Sequence, residues 1–475
     1  MKVRLRKLRQ IVLLSLLLAM PWHRQAAAYS LLTHEQLIDL EWHDSIVPLL
    51  LSHYPTLTPA ELDQARAYAY GGCVIQDIGY YPFGDSSFSD LTHYVRSGDF
   101  VVSLFRNAQN ANELAFAVGA LSHYIGDSVG HSVATNRAVA IEFPKLAAKY
   151  GQKVNYAQGE HQHVQTEFAF DINEIAHHRL APLRFLRHIG LQVPLHQLAL
   201  AYYQTYGLSE DFSTRRGRRF NVKGYRFAVR TFIPRVAYAV TLLHRRHMPV
   251  DPDTPDVVAI KKQAADTAAV NNWDAYRHKA GFETYALAAL VFIVPKIGPL
   301  KMVDVKGPTQ ATVADYLHSV DLSVAIFRRI LVRFTPPATG QHADGQAKPT
   351  TSELLAASAA TNPDLLLRSQ DPRHPLPNRD LDTGHVVQPG GYSLTDYTFA
   401  LLLHRIAQQP TTPIPPGIKQ EIQTYYANPD APITTKKDPA KWAQVQADLA
   451  ILAGMPTSTE QEPYPTYGDD AETSE

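Results

Sequence analysis

Gly119–Arg137 reads GALSHYIGDSVGHSVATNR, and in it three metal-capable side chains, His123, Asp127 and His131, recur at every fourth position. On an α-helix that spacing lays all three along one stripe. Leu114, Ala117, Val118, Leu121 and Ile125 keep the same period just upstream, so Asn112–Ser132 is expected to be a central helix buried on its apolar side. A zinc ion needs neutral imidazoles and ionised carboxylates converging at about 2 Å, and an i, i+4 pair aims two of them at one point. The bland alternative is two capped core histidines and a solvated aspartate. A second pair of the same kind, His163 and Glu167 in GEHQHVQTEF, makes coincidence the weaker reading.

Outward from that stretch the pattern stays helical, and the fold class expected is all-α: a multi-helix bundle around a metal cluster with further C-terminal helices. Helices are expected on either side of His43-Asp44, over Asp63–Tyr70, Leu183–Tyr206, Tyr225–Arg246, Asp266–Leu290, Ala311–Phe334 and Tyr392–Gln408. The apolar run Tyr285–Val294 is too short to span a bilayer and is broken at Pro295, so it is expected to be buried. Gly71–Gly84, GGCVIQDIGYYPFG, breaks the periodicity with glycines and a proline and reads as a loop carrying Asp77. Tyr80, Tyr81 and Phe83 follow as pocket wall or aromatic core. His93 precedes the apolar run Val95–Leu104; one imidazole alone carries no spacing information.

Met1–Ala28 combines a basic opening, the apolar run Ile11–Met20 and Ala26-Ala27-Ala28, the pattern of a cleavable secretory signal that would leave Tyr29 as the mature N-terminus. Secretion or periplasmic export follows as the expected location. The segment holds six of the 45 basic residues and no acids, so the zero formal charge of the 475-residue chain becomes 39 basic against 45 acidic residues after cleavage. Such a balance argues against a duplex-DNA binder. Cys73 is the single cysteine, which excludes an intrachain disulfide and fits a small buried residue. The expected organisation is a main helical domain over 29–334, a Pro/Gly-bearing linker over 335–350, a helical and loop extension over 351–456 and an acidic tail over 457–475. Between Ser213 and Arg230 seven basic residues form either a solvated face or a contact for an anionic headgroup or polynucleotide.

The ordered set Tyr29, His34, Asp77, His93, His123-x3-Asp127, His131 and His163-x3-Glu167 resembles the zinc-dependent phospholipase C and single-strand-specific zinc nuclease superfamily. The resemblance covers about Tyr29–Asp171. It implies an all-helical fold holding two or three zinc ions: Asp77, His93, His123 and Asp127 on the first, with Asp127 bridging; His131, His163 and Glu167 on the second; His34 with the amine and carbonyl of Tyr29 on the third. Three residues separate Asp127 from His131 where the family usually has five, Tyr29 stands where members usually begin with Trp, and the interval from His131 to His163 is long, with His161 as an alternative ligand.

Clustered zinc ions activate water near neutral pH and neutralise phosphate oxygens, which suits cleavage of a phosphodiester, with Asp77 as candidate catalytic base or water-orienting group. The resemblance implies a phospholipid or other phosphodiester as substrate, with transient contact at a membrane surface and no stable transmembrane segment. Glu167 favours phospholipase C over nuclease, whereas the Tyr29-to-His34 interval is nearer the nuclease pattern. A third reading keeps the fold as a catalytically inactive, zinc-stabilised binding or scaffold protein.

Overall fold

The computed structural model describes residues 30–81, 84–210, 212, 222–295, 303–334 and 374–458. Within them the chain is helical, with two isolated bridges, Arg379 to Val386 and Ile414 to Thr457, as its only extended pairings. The helices that build the centre are α1 (Leu31–Glu41), α2 (Pro59–Gly72), α3 (Ser86–Tyr94), α4 (Ser97–Arg106), α5 (Ala111–Gly130) and α6 (Tyr156–Ala176). Around them lie α7 (Leu183–Ile189), α8 (Leu195–Tyr206), α9 (Ile233–His244), α10 (Phe282–Ile293), α11 (Gln310–Phe334) and α12 (Ser393–Ala407).

The axis of the molecule is α5. Asn110 caps it by accepting from the Glu113 amide at 3.1 Å, and beyond the first turn nearly every residue is buried. A helix apolar on most of its circumference must be surrounded, and α1, α2, α4 and α11 all pack against it. The α2 contact is the closest. A Cβ on Gly119 would stand 2.2 Å from the Ala69 carbonyl oxygen, and one on Gly72 would stand 2.1 Å from that of Phe116. Those two glycines therefore let the backbones touch, which a loop reading of Gly71 and Gly72 does not anticipate: α2 runs through both residues, and Asp77 follows on the 3-10 turn Ile75–Asp77.

Other expected spans are divided differently. The helix expected over Leu183–Tyr206 is two, because Gly190 takes φ 91° and Pro194 cannot continue the hydrogen-bonding pattern. The stretch Asp266–Leu290 is interrupted after the helix Pro255–Val270 by left-handed Asn272 and resumes at Phe282. At His43-Asp44 there is no break; α1 widens into the π-turn Trp42–Ile46 and continues. The apolar run Tyr285–Val294 is not wholly buried: Leu287, Ala288 and Val291 face the core, while Tyr285, Phe292 and Ile293 face water. Among the described residues no helix is long and apolar enough to cross a membrane.

The linker expected at 335–350, the leader 1–28 and most of the acidic tail lie outside the described residues. The described residues on either side of that linker share one hydrophobic cluster, in which Leu376, Leu381 and Phe399 join Phe88, Tyr94 and Leu121. A second cluster, Leu37, Phe170, Ile260, Tyr316 and Val320, seals α1 and α6 against α11 and the helix Pro255–Val270. Phe170 stacks on Tyr316 there with ring centres 4.5 Å apart.

Candidate metal centre

Each candidate side chain arrives on an element whose own sequence fixes it. Asp77 ends its 3-10 turn, pinned because the neighbouring Gln76 amide donates to the Ala120 carbonyl at 2.9 Å. His93 sits in the last turn of α3, which Asp85 caps through the Ser87 amide at 2.9 Å. His123 and Asp127 are one turn apart on α5. His34 lies in the first turns of α1, whose start is held by Asp171 of α6. All five are essentially inaccessible to solvent.

Their ligand atoms converge. Asp127 Oδ1 is 3.1 Å from His34 Nε2, while its Oδ2 is 3.1 Å from His123 Nε2 and 3.2 Å from His93 Nε2. Asp77 Oδ1 is 3.4 Å from His93 Nε2 and 3.9 Å from His123 Nε2. The His34 and His123 rings stack with centres 4.2 Å apart. Four ligands at about 2.0–2.2 Å around a tetrahedral ion stand about 3.4 Å from one another, so these separations are those of a coordination shell. Moreover both oxygens of Asp77 and both of Asp127 are buried without a hydrogen-bond partner. Buried carboxylate oxygens in that state are rare and costly, and a cation between them removes the cost. Two overlapping groups result, His34 with His123 and Asp127, and Asp77 with His93 and His123.

His131 is not in either group. An ordinary α-helical bond closes its amide onto the Asp127 carbonyl, but the next turn, His131–Thr135, is a π-turn, and there α5 widens and redirects. His131 Nε2 instead faces Glu167 Oε1 at 3.4 Å, with His163 Nδ1 at 3.7 Å from the same oxygen. This third group, carried by α6, again leaves His131 Nε2, His163 Nδ1 and Glu167 Oε1 buried and without hydrogen bonds. The single stripe expected for His123, Asp127 and His131 is thus divided between two groups. His161 is exposed, whereas His163 is buried. Tyr29 lies outside the described residues, as does Phe83.

Backbone carbonyls set the tautomers. A carbonyl only accepts, so the nitrogen facing it must carry the proton. His93 Nδ1 donates to Ser89 O at 2.7 Å, His123 Nδ1 to Cys73 O at 3.0 Å and His131 Nδ1 to Leu381 O at 2.9 Å. His163 is reversed, with Nε2 donating to Val154 O at 2.6 Å, which turns Nδ1 inward. In the neutral form of each ring the nitrogen directed at the group is the one left as a lone-pair donor, the arrangement a metal-ligating histidine requires.

Burial lowers the His34 imidazole, assisted by His123 beside it. Burial also pulls on His93, but the Asp127 and Asp77 carboxylates outweigh it and hold that ring well above the usual imidazole range. For His131 burial is outweighed by Glu167 and Asp382, and the ring is raised to about 9. For Asp127 burial acts upward, yet the surrounding imidazoles hold the carboxyl well below its usual range. The imidazoles around Asp127 thus favour its anionic form, which is the form a metal ion would bind.

Sequence reasoning missed the C-terminal contribution. Asp382, fully buried, accepts from Tyr94 Oη at 2.9 Å and Tyr392 Oη at 2.7 Å and lies 3.6 Å from His131 Nδ1. Leu381 supplies the His131 carbonyl partner and also donates its amide to His93 O at 3.1 Å. Nothing in the spacing of DLD at 380–382 signals this role. The aromatic residues near Asp77 are core: Tyr80 Oη donates to Asp90 at 2.9 Å with its ring 5.4 Å from His93, and Tyr81 packs on Tyr225. Cys73 is buried, and its thiol donates to Tyr70 O at 3.3 Å.

Residues 42–208, about a third of the chain, match the family model described as zinc dependent phospholipase C. That span includes Asp77, His93, His123, Asp127, His131, His163 and Glu167 and excludes His34 and Asp382. No curated protein and no solved structure matches the chain.

Proposed function

We propose, on the premise that this chain carries a zinc-dependent phospholipase C domain over residues 42–208, that it is an exported hydrolase of phospholipid phosphodiesters. The observation that carries the reading is the buried convergence of His34, Asp77, His93, His123 and Asp127 at coordination-shell spacing, with four carboxylate oxygens left without hydrogen bonds. The ligands we assign are Asp77, His93, His123, Asp127 and His34 in the first two groups and His131, His163 and Glu167 in the third. Tyr29 completes the His34 group through its free amine and carbonyl once the leader is removed. Zinc bound there supplies Lewis acidity toward phosphate oxygens and lowers the pKa of water toward 7.

The protein's own part is preorganisation. Four main-chain carbonyls hold four imidazoles in the ligating tautomer before any ion arrives. Asp127 presents one oxygen to His34 and the other to His93 and His123, so it spans two groups. Asp77 is the candidate base, because one carboxylate oxygen suffices for ligation and the other is available to orient or accept a proton from water. Glu167 at the end of the last pair supports a phospholipase C over a nuclease. The test is hydrolysis of phosphatidylcholine vesicles against single-stranded DNA, with and without chelator, alongside elemental zinc analysis. Vesicle hydrolysis lost in Asp77→Asn with most zinc retained is the expected result; DNA cleavage alone refutes the lipid substrate. Protein carrying an N-terminal tag should hold less zinc than protein beginning at Tyr29, and equal stoichiometry refutes the Tyr29 assignment.

One observation favours a second reading, in which zinc stabilises a non-catalytic protein: His34, His93, His123 and Asp127 are all 0% exposed. Full zinc occupancy, no hydrolysis of any phosphodiester and an Asp77→Asn variant altered only in stability would establish it.

A further inference from the structure

A cavity of about 760 Å³ opens between α7, α9 and the turn leading into α10, and it shares no lining residue with the three histidine groups. Among the described residues its walls carry six permanent cations, Arg184, Arg187, Arg235, Arg245, Arg277 and Lys279, against one carboxylate, Glu283. Arg277 is engaged by the exposed Asp274 and by the His178 carbonyl. Arg187 is not so served. Its Nη2 is buried without a hydrogen-bond partner, and burial together with Arg235, Arg184 and Arg230 depresses the guanidinium against the opposing pull of Glu283. A crowded, partly desolvated guanidinium has an unmet demand for an anion, and a bidentate oxyanion such as phosphate meets it best. The floor is apolar and aromatic, with Leu183, Tyr238, Leu242 and Tyr276, so the cavity suits a phosphate attached to something apolar rather than a bare ion.

The rim extends that preference. Gly281–Thr284, where α10 begins without a side-chain cap, line the cavity, and the N-terminal end of a helix favours negative charge. From there α10 shows water a stripe of Phe282, 79% exposed, Tyr285, 57%, and Phe292 and Ile293, both 76%. At 100° per residue these four fall within about 100° of arc, one face of the helix. An apolar helical face beside a basic cluster, on a helix too short to span, is the design of an interfacial element. A nucleic acid or a soluble anion would use the arginines and leave Phe292 and Ile293 in water. An anionic bilayer uses both.

We propose that this cavity and α10 form a docking site for anionic phospholipid, with the cavity taking a lipid phosphate and Phe292 and Ile293 entering the headgroup–acyl boundary. The site stands apart from the hydrolytic reading and holds whether or not the histidine groups are catalytic.

The experiment is flotation of the zinc-loaded full chain with vesicles of phosphatidylcholine alone or mixed with phosphatidylglycerol. Binding is expected with phosphatidylglycerol and not without it, and should disappear near 1 M salt, where the screening length falls to about 3 Å. Arg184 and Arg245 are exposed, so Arg184→Gln with Arg245→Gln leaves folding and zinc content intact. At about fivefold per neutralised arginine, that pair should weaken partitioning by at least tenfold. Phe292→Ser with Ile293→Ser should also weaken it while keeping its salt dependence. No binding, equal binding to both vesicles, or variants that bind like the parent would overturn the proposal, as would binding of glycerol phosphate or single-stranded DNA without vesicle binding. Binding without hydrolysis counts against the catalytic reading alone.

Discussion

Replacement of Asp171 by Ala should loosen the molecule at the point where α1 delivers His34. Asp171 is fully buried on α6 and takes the place of an N-cap for a different helix. Its Oδ2 accepts from the Leu32 amide at 3.1 Å; its Oδ1 accepts from the Thr33 amide at 3.1 Å and the Thr33 hydroxyl at 2.8 Å. Ser30, the residue at the cap position, makes no capping bond into the helix itself. First-turn amides have no acceptor within their own helix, so they depend on such a partner. Thr33 retains fallback partners in the Ser30 carbonyl at 3.0 Å and Tyr316 Oη at 2.9 Å. The Leu32 amide does not, and one buried donor left unsatisfied costs about 1–3 kcal/mol.

Adding about 1 kcal/mol for the lost cap, the variant should be about 2–4 kcal/mol less stable in chelator. Urea denaturation followed by circular dichroism measures this. Because His34 is the fourth residue of α1, fraying of that turn should also reduce zinc bound by the His34 group while leaving His131, His163 and Glu167 loaded. Thr33→Val, which removes only the hydroxyl contacts, should cost about 1 kcal/mol and keep its zinc. An Asp171→Ala protein with an unshifted urea midpoint and a full zinc complement refutes the argument that α6 positions His34.

Three further outcomes are expected. Burial raises the Asp171 carboxyl to about 7, against the donors that lower it; a proton is then held by the native but not the unfolded chain between about pH 4 and 7, so stability should fall as pH rises through that window, by up to about 4 kcal/mol, and the slope should vanish in Asp171→Ala. Asp382→Asn removes the charge beside His131 that Tyr94 and Tyr392 also bind, and competitive chelation should show zinc at the His131 group weakened about 10- to 100-fold, with the His123 groups unchanged. Gly119→Ala sets a methyl 2.2 Å from the Ala69 carbonyl, and because backbone cannot yield as a side chain does, thermal unfolding should report a loss of at least about 3 kcal/mol.

What the sequence made legible was what repeats locally. The central helix could be read because its apolar residues and its His and Asp share one period, and α6 because His163 and Glu167 lie one turn apart. The site's division was not legible. Asp127 and His131 are spaced as one stripe, and only the π-turn that starts at His131 sends them to different groups. Gly71 and Gly72 are ambiguous for a related reason: a glycine that breaks a helix and one that lets another backbone approach look identical in sequence. The exposed face of α10 was hidden by composition, since Phe282–Ile293 is apolar enough to read as core in every direction.

The least legible feature is the segment 377–382, and it changes what the metal centre is. The Pro377 carbonyl accepts from Tyr124 Oη of α5 at 2.6 Å, Arg379 exchanges bonds with the Ser97 hydroxyl of α4, and Leu381 bridges the His93 carbonyl and the His131 ring. The Asp382 carbonyl accepts from Asn136 Nδ2 at 2.8 Å, beyond the π-turn. One extended segment thus ties α3, α4, α5 and the turn after α5 at the level of the histidines, although it lies more than 160 residues beyond the family match. A chain ending at 208 would keep all nine proposed ligands and lose the carbonyl that fixes the His131 tautomer, the carboxylate beside it and the clamp between His93 and His131. Seven of the proposed ligands are local to the matched domain; the geometry that would make them ligands is a property of the longer chain.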